Sequence, residues 1–184
     1  MTGSFPKTTR VANTAGRNEP MGAPISQSTR DAPQALLQLR VSAHWQSIEA
    51  FRQFLEVYAR NRFTSRVAER IGTTTQELLE NAANYCSITA DISFELRHLP
   101  AAQRLEIRVS NESVPSRITA LTRRISELKS RDPQEVYQDA LRSVSSPLSL
   151  RAMLGLARVR CEADMELEAT VDGNRVTVIA SGRD

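Results

Sequence analysis

Three polar side chains recur along one helical stretch, and their spacing could support chemistry on a phosphate or a hydroxyl group. The stretch ELLENAANY places Glu77, Asn81 and Asn84 on a single stripe roughly 60° wide at about 100° per residue. A carboxylate and an amide oxygen one turn apart can share a hard cation such as Mg²⁺. A carboxylate can also accept a proton or orient a water. A solvated stripe on an amphipathic helix would show the same pattern, so both interpretations stay open here.

The elements that must position this stripe can be predicted from hydrophobic periodicity. The stripe lies in a helix from about Ser65 to Cys86, whose middle, IGTTT, consists of poor helix formers and indicates close packing. Ahead of it we expect a strand at LLQLRV. Between the two we expect a helix whose apolar positions recur at helical spacing: Ile48, Phe51, Phe54, Leu55 and Tyr58.

Alternating apolar and polar residues after the stripe predict two strands of a hairpin, 88–97 and 104–109, with His98 in the turn. A helical stripe from Ile118 to Leu128 is expected to be core. The sequence DPQE predicts a second helix start, with Asp132 as its N-cap. A third helix over about 148–163 and a second hairpin turning at Asp172-Gly173 complete the chain.

Strands that are polar on one face can be covered by helices only on the other face. We therefore predict an α/β fold, a two-layer sandwich with a mixed, mostly antiparallel sheet and helices on one face. With 184 residues and 40% hydrophobic content, the chain is long enough for one domain. Residues 34–184 form that domain. Residues 1–33 are rich in Pro, Gly, Ser and Arg without hydrophobic period, so they are predicted to be a disordered tail.

Composition narrows the classes of function. The net charge of +3 is mild for a dedicated nucleic-acid binder, so nucleic acid is not an expected partner. A cluster of arginines at positions 60, 62, 66 and 70 could contact phosphate, nucleic acid or an acidic partner, and it is interpreted first as a solvated charged face. No apolar run approaches the ~18 residues of a membrane span, and Cys86 and Cys161 show no disulfide or metal spacing. We expect a cytoplasmic protein.

The stretch QELLENAANY resembles the N box of the histidine-kinase-like (GHKL) ATPases, and Glu77, Asn81 and Asn84 match its pattern. The order of elements over about 35–181 is also similar to that superfamily, and the first part looks like its anti-sigma-factor kinases. The resemblance implies an ATP- and Mg²⁺-binding domain. Glu77 would be the catalytic base or water-positioning residue, and Asn81 would hold the metal.

The stretches of this chain that correspond to the glycine boxes of the superfamily are degenerate. Its first box, Asp-x-Gly-x-Gly, corresponds to VSNESVP, where Asn111 stands for the adenine-reading Asp and Ser113 and Pro115 for the glycines. Its second box corresponds to LRAMLGL, where only Gly155 and Leu156 remain and residue 153 is Met. The resemblance thus implies a cofactor-binding set whose members are Asn81, Asn84, Asn111, Gly155 and Leu156. An Asn in the first box is typical of small SiaB-like bacterial regulators.

The leading hypothesis is a bacterial regulator of the anti-sigma-factor, serine-kinase type. The resemblance implies that it switches partners, binding a sigma factor or an anti-sigma-factor antagonist, and that it can form a homodimer. The alternative hypothesis is a degenerate, non-catalytic module of the ATPase fold that docks proteins without nucleotide. It is motivated by the replaced glycines at Ser113, Pro115 and Met153.

Overall fold

The computed structural model describes residues 33–41, 45–86, 91–142 and 147–184, with side chains left out for residues 41, 45–46 and 147–153. Except for Pro33, the predicted tail lies outside the described residues. The five described strands are β1 (Gln34–Val41), β2 (Ile92–Leu99), β3 (Arg104–Glu112), β4 (Glu166–Asp172) and β5 (Arg175–Arg183). The five described α-helices are α1 (Trp45–Arg60), α2 (Ser65–Tyr85), α3 (Pro115–Lys129), α4 (Pro133–Arg142) and α5 (Pro147–Cys161).

The strands form one sheet in the order β1-β2-β3-β5-β4, and every pairing in it is antiparallel. Strand β2 shows how its faces differ. Ile92, Phe94 and Leu96 are buried against the helices, and the residues between them are only half-buried on the outer face. This alternation confirms the predicted two-layer α/β sandwich with helices on one face.

Local signals set most element boundaries. Asp132 Oδ1 accepts hydrogen bonds from the backbone N–H of Gln134 at 2.9 Å and of Glu135 at 3.1 Å, so the predicted N-cap of α4 is confirmed. The second hairpin turns one residue later than predicted. Asp172 still pairs with Arg175, and Gly173 takes the positive φ of 56° that opens a two-residue turn.

The predicted stripe of α3 is core, because Ile118, Leu121, Ile125 and Leu128 are each at most 5% exposed. Helix α2 packs against α1, α5 and strand β3. Its IGTTT segment is buried as predicted from its small residues, with Thr74 and Thr75 fully inaccessible to solvent.

Two sequence interpretations are wrong at one corner of the fold. Arg70 does not belong to a solvated face. It donates to the carbonyl oxygens of Ala163, Asp164 and Arg183 at 2.6–2.9 Å, and so joins α2 to the α5–β4 connection and to the end of β5. His98 is not a turn residue. It lies in β2, because the strand continues to Leu99 before a short 3₁₀ turn, and its Nε2 lies 2.6 Å from the carboxylate of Asp184.

Candidate functional site

Helix α2 carries the candidate site on the side that faces α5. Thr64 caps its N-terminus by accepting from Val67 N–H, and the helix ends at Tyr85. Two members of the polar stripe are buried: Glu77 is 9% exposed and Asn81 is 4% exposed. Asn84, in the last turn, is exposed. The solvated-stripe interpretation therefore holds only for Asn84.

Both carboxylate oxygens of Glu77 are covered by α5. Arg158 Nη1 donates to Glu77 Oε1 at 2.6 Å, and the two side chains are 37% and 10% exposed, respectively. The other oxygen, Oε2, lies against Gly155, where a Cβ atom would overlap it and would also come within 3.3 Å of Glu77 Cδ. A side chain at position 155 would therefore have to displace the Glu77 carboxylate, which fills the space beside that backbone.

Arg158 is itself held by Glu162, the first residue after α5. Its Nε donates to Glu162 Oε2 at 3.1 Å, and the hydroxyl of Tyr137, on α4, donates to Glu162 Oε1 at 2.5 Å. The result is a chain of contacts from α4 through α5 to the buried acid of α2. The hydrogen bond from Tyr137, together with Arg158, lowers the pKa of Glu162.

Burial raises the pKa of Glu77 above its ordinary value, because the charged form loses its solvent. The guanidinium of Arg158 opposes this shift, and the nearby charge of Glu80 adds to it. A carboxylate with a raised pKa is a better proton acceptor. Glu77 could act on a hydroxyl only after Arg158 moves away from Oε1.

Asn81 is the stripe residue that best fits a ligand. Its Oδ1 atom is buried and has no hydrogen-bond partner. A buried amide oxygen without a donor is uncommon, because it loses its hydration without compensation. Mg²⁺ prefers such neutral oxygen ligands alongside waters and phosphate oxygens. Among the described residues, no group of three or more His, Cys, Asp or Glu could hold a metal by itself.

The other members of the predicted cofactor set have different surroundings. Asn111, on β3, is buried, and its Nδ2 donates to Glu112 O at 3.3 Å. Ser113, where the resembled box has glycine, is also buried and donates to Tyr85 O at 2.5 Å, so it closes the end of α2 onto the start of α3. Leu156 is fully buried core and faces no solvent.

The side chain of Met153 lies outside the described residues. Gly155, which is predicted to lie near phosphate, lies beside the Glu77 carboxylate. Of the predicted cofactor-binding residues that the structure describes, Asn81 has a buried acceptor without a hydrogen-bond partner, and such an oxygen fits Mg²⁺. In the part of the chain that the structure describes, no helix is both long and apolar enough to cross a bilayer.

Of the comparisons with known proteins, the one with solved structures found a similar fold. No protein-family model and no curated protein sequence matches the chain. The fold is similar to that of one chain in the crystal structure of the SiaB–SiaC complex from Pseudomonas aeruginosa, with a TM-score of 0.63 over 85% of this chain and 93% of that chain. The two sequences are 17% identical, so the likeness concerns the fold.

Proposed function

We propose that this chain is a SiaB-like regulatory protein that acts by binding a protein partner, and that it docks this partner without turning over nucleotide. The proposal rests on the contacts that α5 makes with the Glu77 carboxylate. One of its oxygens accepts from Arg158 and the other lies beside the Gly155 backbone, so the residue in the position of a catalytic base is engaged by α5 and is only 9% exposed. The similar fold comes from a complex of two proteins, which supports a protein partner.

Because this chain resembles the anti-sigma-factor kinases, we propose that its partner is a sigma factor or an anti-sigma-factor antagonist. The test starts with affinity purification from cells of the source and identification of the bound protein. The complex is then reconstituted from purified components and titrated by calorimetry with and without ATP and Mg²⁺. Equal affinities in both conditions, and in Glu77→Gln, are expected. An affinity that requires ATP would overturn the nucleotide-independent proposal.

A second candidate function is ATP–Mg²⁺ binding with phosphorylation of the partner, and the unpartnered Oδ1 of Asn81 favours it. In this function Asn81 holds the Mg²⁺ ion, which neutralises phosphate charge. Asn111 faces the adenine base of ATP. Glu77 accepts the proton of the partner's hydroxyl group once Arg158 has moved away from the Glu77 carboxylate. Membership of the GHKL superfamily and a homodimeric state remain predictions.

Calorimetry with ATP and Mg²⁺ on the isolated chain separates the two functions. The second function predicts heat for wild type and loss of that heat in Asn81→Ala. Asn84→Ala serves as the matched control, because Asn84 has the same side chain on the same helix but is exposed. Negligible heat for all three proteins would dismiss the nucleotide role. Transfer of labelled phosphate to the purified partner would establish it.

A further inference from the structure

The outer face of the sheet, opposite the helices, carries a row of hydroxyl groups across its central strands. Ser93 on β2 is the register partner of Ser110 on β3, which in turn is the partner of Thr177 on β5. The Ser110 and Thr177 hydroxyl oxygens are 2.8 Å apart. Arg40 on β1 is the partner of Ser93 and extends the row to the sheet edge. Directly opposite residues share a face, so one guanidinium and three hydroxyls lie in line.

Longer side chains stand beside this row and make it the floor of a basin. The next register row contains Gln38, Glu95 and Arg108. Together, the two rows line a cavity of about 410 Å³. That volume is within the range of small-molecule sites, roughly 300–1,000 Å³. The basin lies on the opposite side of the sheet from α2, so it is separate from the Glu77 site.

The charges of the basin leave one cation available. Arg40 is exposed and makes no ion pair or hydrogen bond with any described residue. Arg108, in contrast, contacts Glu106 at 3.2 Å. Glu95 Oε1 accepts a hydrogen bond from Gln38 at 2.8 Å and lies 3.6 Å from Arg97 Nε. The other carboxylate oxygen, Oε2, remains as an acceptor. The basin thus offers a free guanidinium beside hydroxyl donors, and one free carboxylate oxygen across the floor.

We propose that this basin binds a small hydroxylated phosphate monoester. The fork of Arg40 would pair with two phosphate oxygens, as guanidinium groups do with oxyanions. Ser93 and the Ser110–Thr177 pair donate hydroxyl protons to the phosphate, since a hydroxyl both donates and accepts. Glu95 Oε2 accepts from a hydroxyl of the ligand. The proposal does not depend on whether α2 binds nucleotide.

The test is a titration of the isotope-labelled full chain with glycerol 3-phosphate, followed by amide NMR. Glycerol and inorganic phosphate serve as separate probes. The shifts are expected at Ser93, Ser110 and Thr177, with no saturable binding of glycerol. In Arg40→Gln the affinity for glycerol 3-phosphate should fall at least roughly tenfold, the effect of losing a charge-assisted pair. Glu95→Ala removes the acceptor for the ligand hydroxyl, so it should lower the ratio of the affinity for glycerol 3-phosphate to that for inorganic phosphate.

Arg123→Gln is the matched control, because Arg123 is an equally charged side chain that is 78% exposed on α3. It should bind as wild type does. Asn81→Ala should also bind as wild type, which separates this site from the α2 site. The proposal is overturned if wild type binds neither phosphate probe, if Arg40→Gln and Arg123→Gln bind equally, or if the shifts map to α2.

Discussion

The ion pair between Arg158 and Glu77 predicts a stability loss that depends on pH. The perturbation is Arg158→Gln, which keeps a polar side chain but removes the charge that offsets the cost of burying the Glu77 carboxylate. The wild-type pair joins a nearly buried acid to a partly exposed base, 10% and 37% exposed, respectively. Removing one partner of a fully buried pair costs about 3–5 kcal/mol, and exposed pairs contribute about 0–1 kcal/mol. We therefore expect a loss of about 2 kcal/mol near neutral pH.

An upper limit follows from protonation. Glu77 can always escape an unfavourable charge by binding a proton, and its ordinary pKa is 4.5. Protonating it at about pH 7.5 costs about 4 kcal/mol, and at about pH 5.5 only about 1.4 kcal/mol, at ~1.36 kcal/mol per unit. In the variant the folded pKa rises further above 4.5, so the folded state binds more protons than the unfolded state in this window. Stability therefore increases as the pH falls from 7.5 towards 5.5.

The assay is urea unfolding followed by circular dichroism at both pH values. It includes the single variants Arg158→Gln and Glu77→Gln, and the double variant. The double variant should be more stable than Arg158→Gln near neutral pH, because the unpaired buried charge is gone. Glu162→Gln is the control, since Glu162 also contacts Arg158 but is 41% exposed. Because the pKa of Glu162 is lowered in the folded state, its contribution to stability is fully present above its ordinary pKa and is lost only as the pH falls below about 4.5. The cost of Glu162→Gln should therefore be small and equal at both pH values.

Three outcomes would refute this account of Glu77. The first is a wild-type stability in Arg158→Gln at both pH values. The second is a loss that does not shrink at the lower pH. The third is a coupling energy of zero in the double-mutant cycle, which would mean that the 2.6 Å contact contributes nothing.

Three further substitutions test the packing around α2 and α4. Gly155→Ala places a methyl group on Glu77 Oε2 and forces the carboxylate away from Arg158, which should cancel the roughly 1 kcal/mol that Ala gains over Gly inside a helix, so a clear rise of the melting temperature would contradict the close approach. Thr75→Val removes a buried hydroxyl that has no partner, so unfolding in urea should show equal or higher stability, and a large loss would mean that the hydroxyl is bonded. Asp132→Ala should cost about 1 kcal/mol through the lost N-cap, measured in the same way, whereas Asp132→Asn should recover most of it.

The parts of the fold that depend on neighbouring residues could be predicted from the sequence. Asp132 followed by Pro133 predicts the start of α4, because the cap is satisfied within three residues. The alternation in β2 and β3 predicts their buried faces, because successive side chains of a strand point to opposite faces of the sheet. His98 was misplaced because strand length depends on pairing with β1 and β3, and this pairing is not local.

The state of the polar stripe could not be predicted, because it depends on a contact between residues 81 positions apart. The spacing that placed Glu77 and Asn81 on one side of α2 is confirmed, but only the packing of α5 decides that they are buried. One signal was present: Arg158 in the last turn of α5 lies four residues before Glu162, a spacing that favours an ion pair. Asn84 stays exposed because α2 ends one residue later.

The guanidinium of Arg70 has a consequence for local motion. A single side chain closes hydrogen bonds to backbone segments 93 and 113 positions further along the chain. Those segments cannot separate from α2 one at a time without breaking part of the same group of bonds. The connection between α5 and β4, the final residues of β5 and the first half of α2 should consequently exchange their amide protons as one cooperative unit.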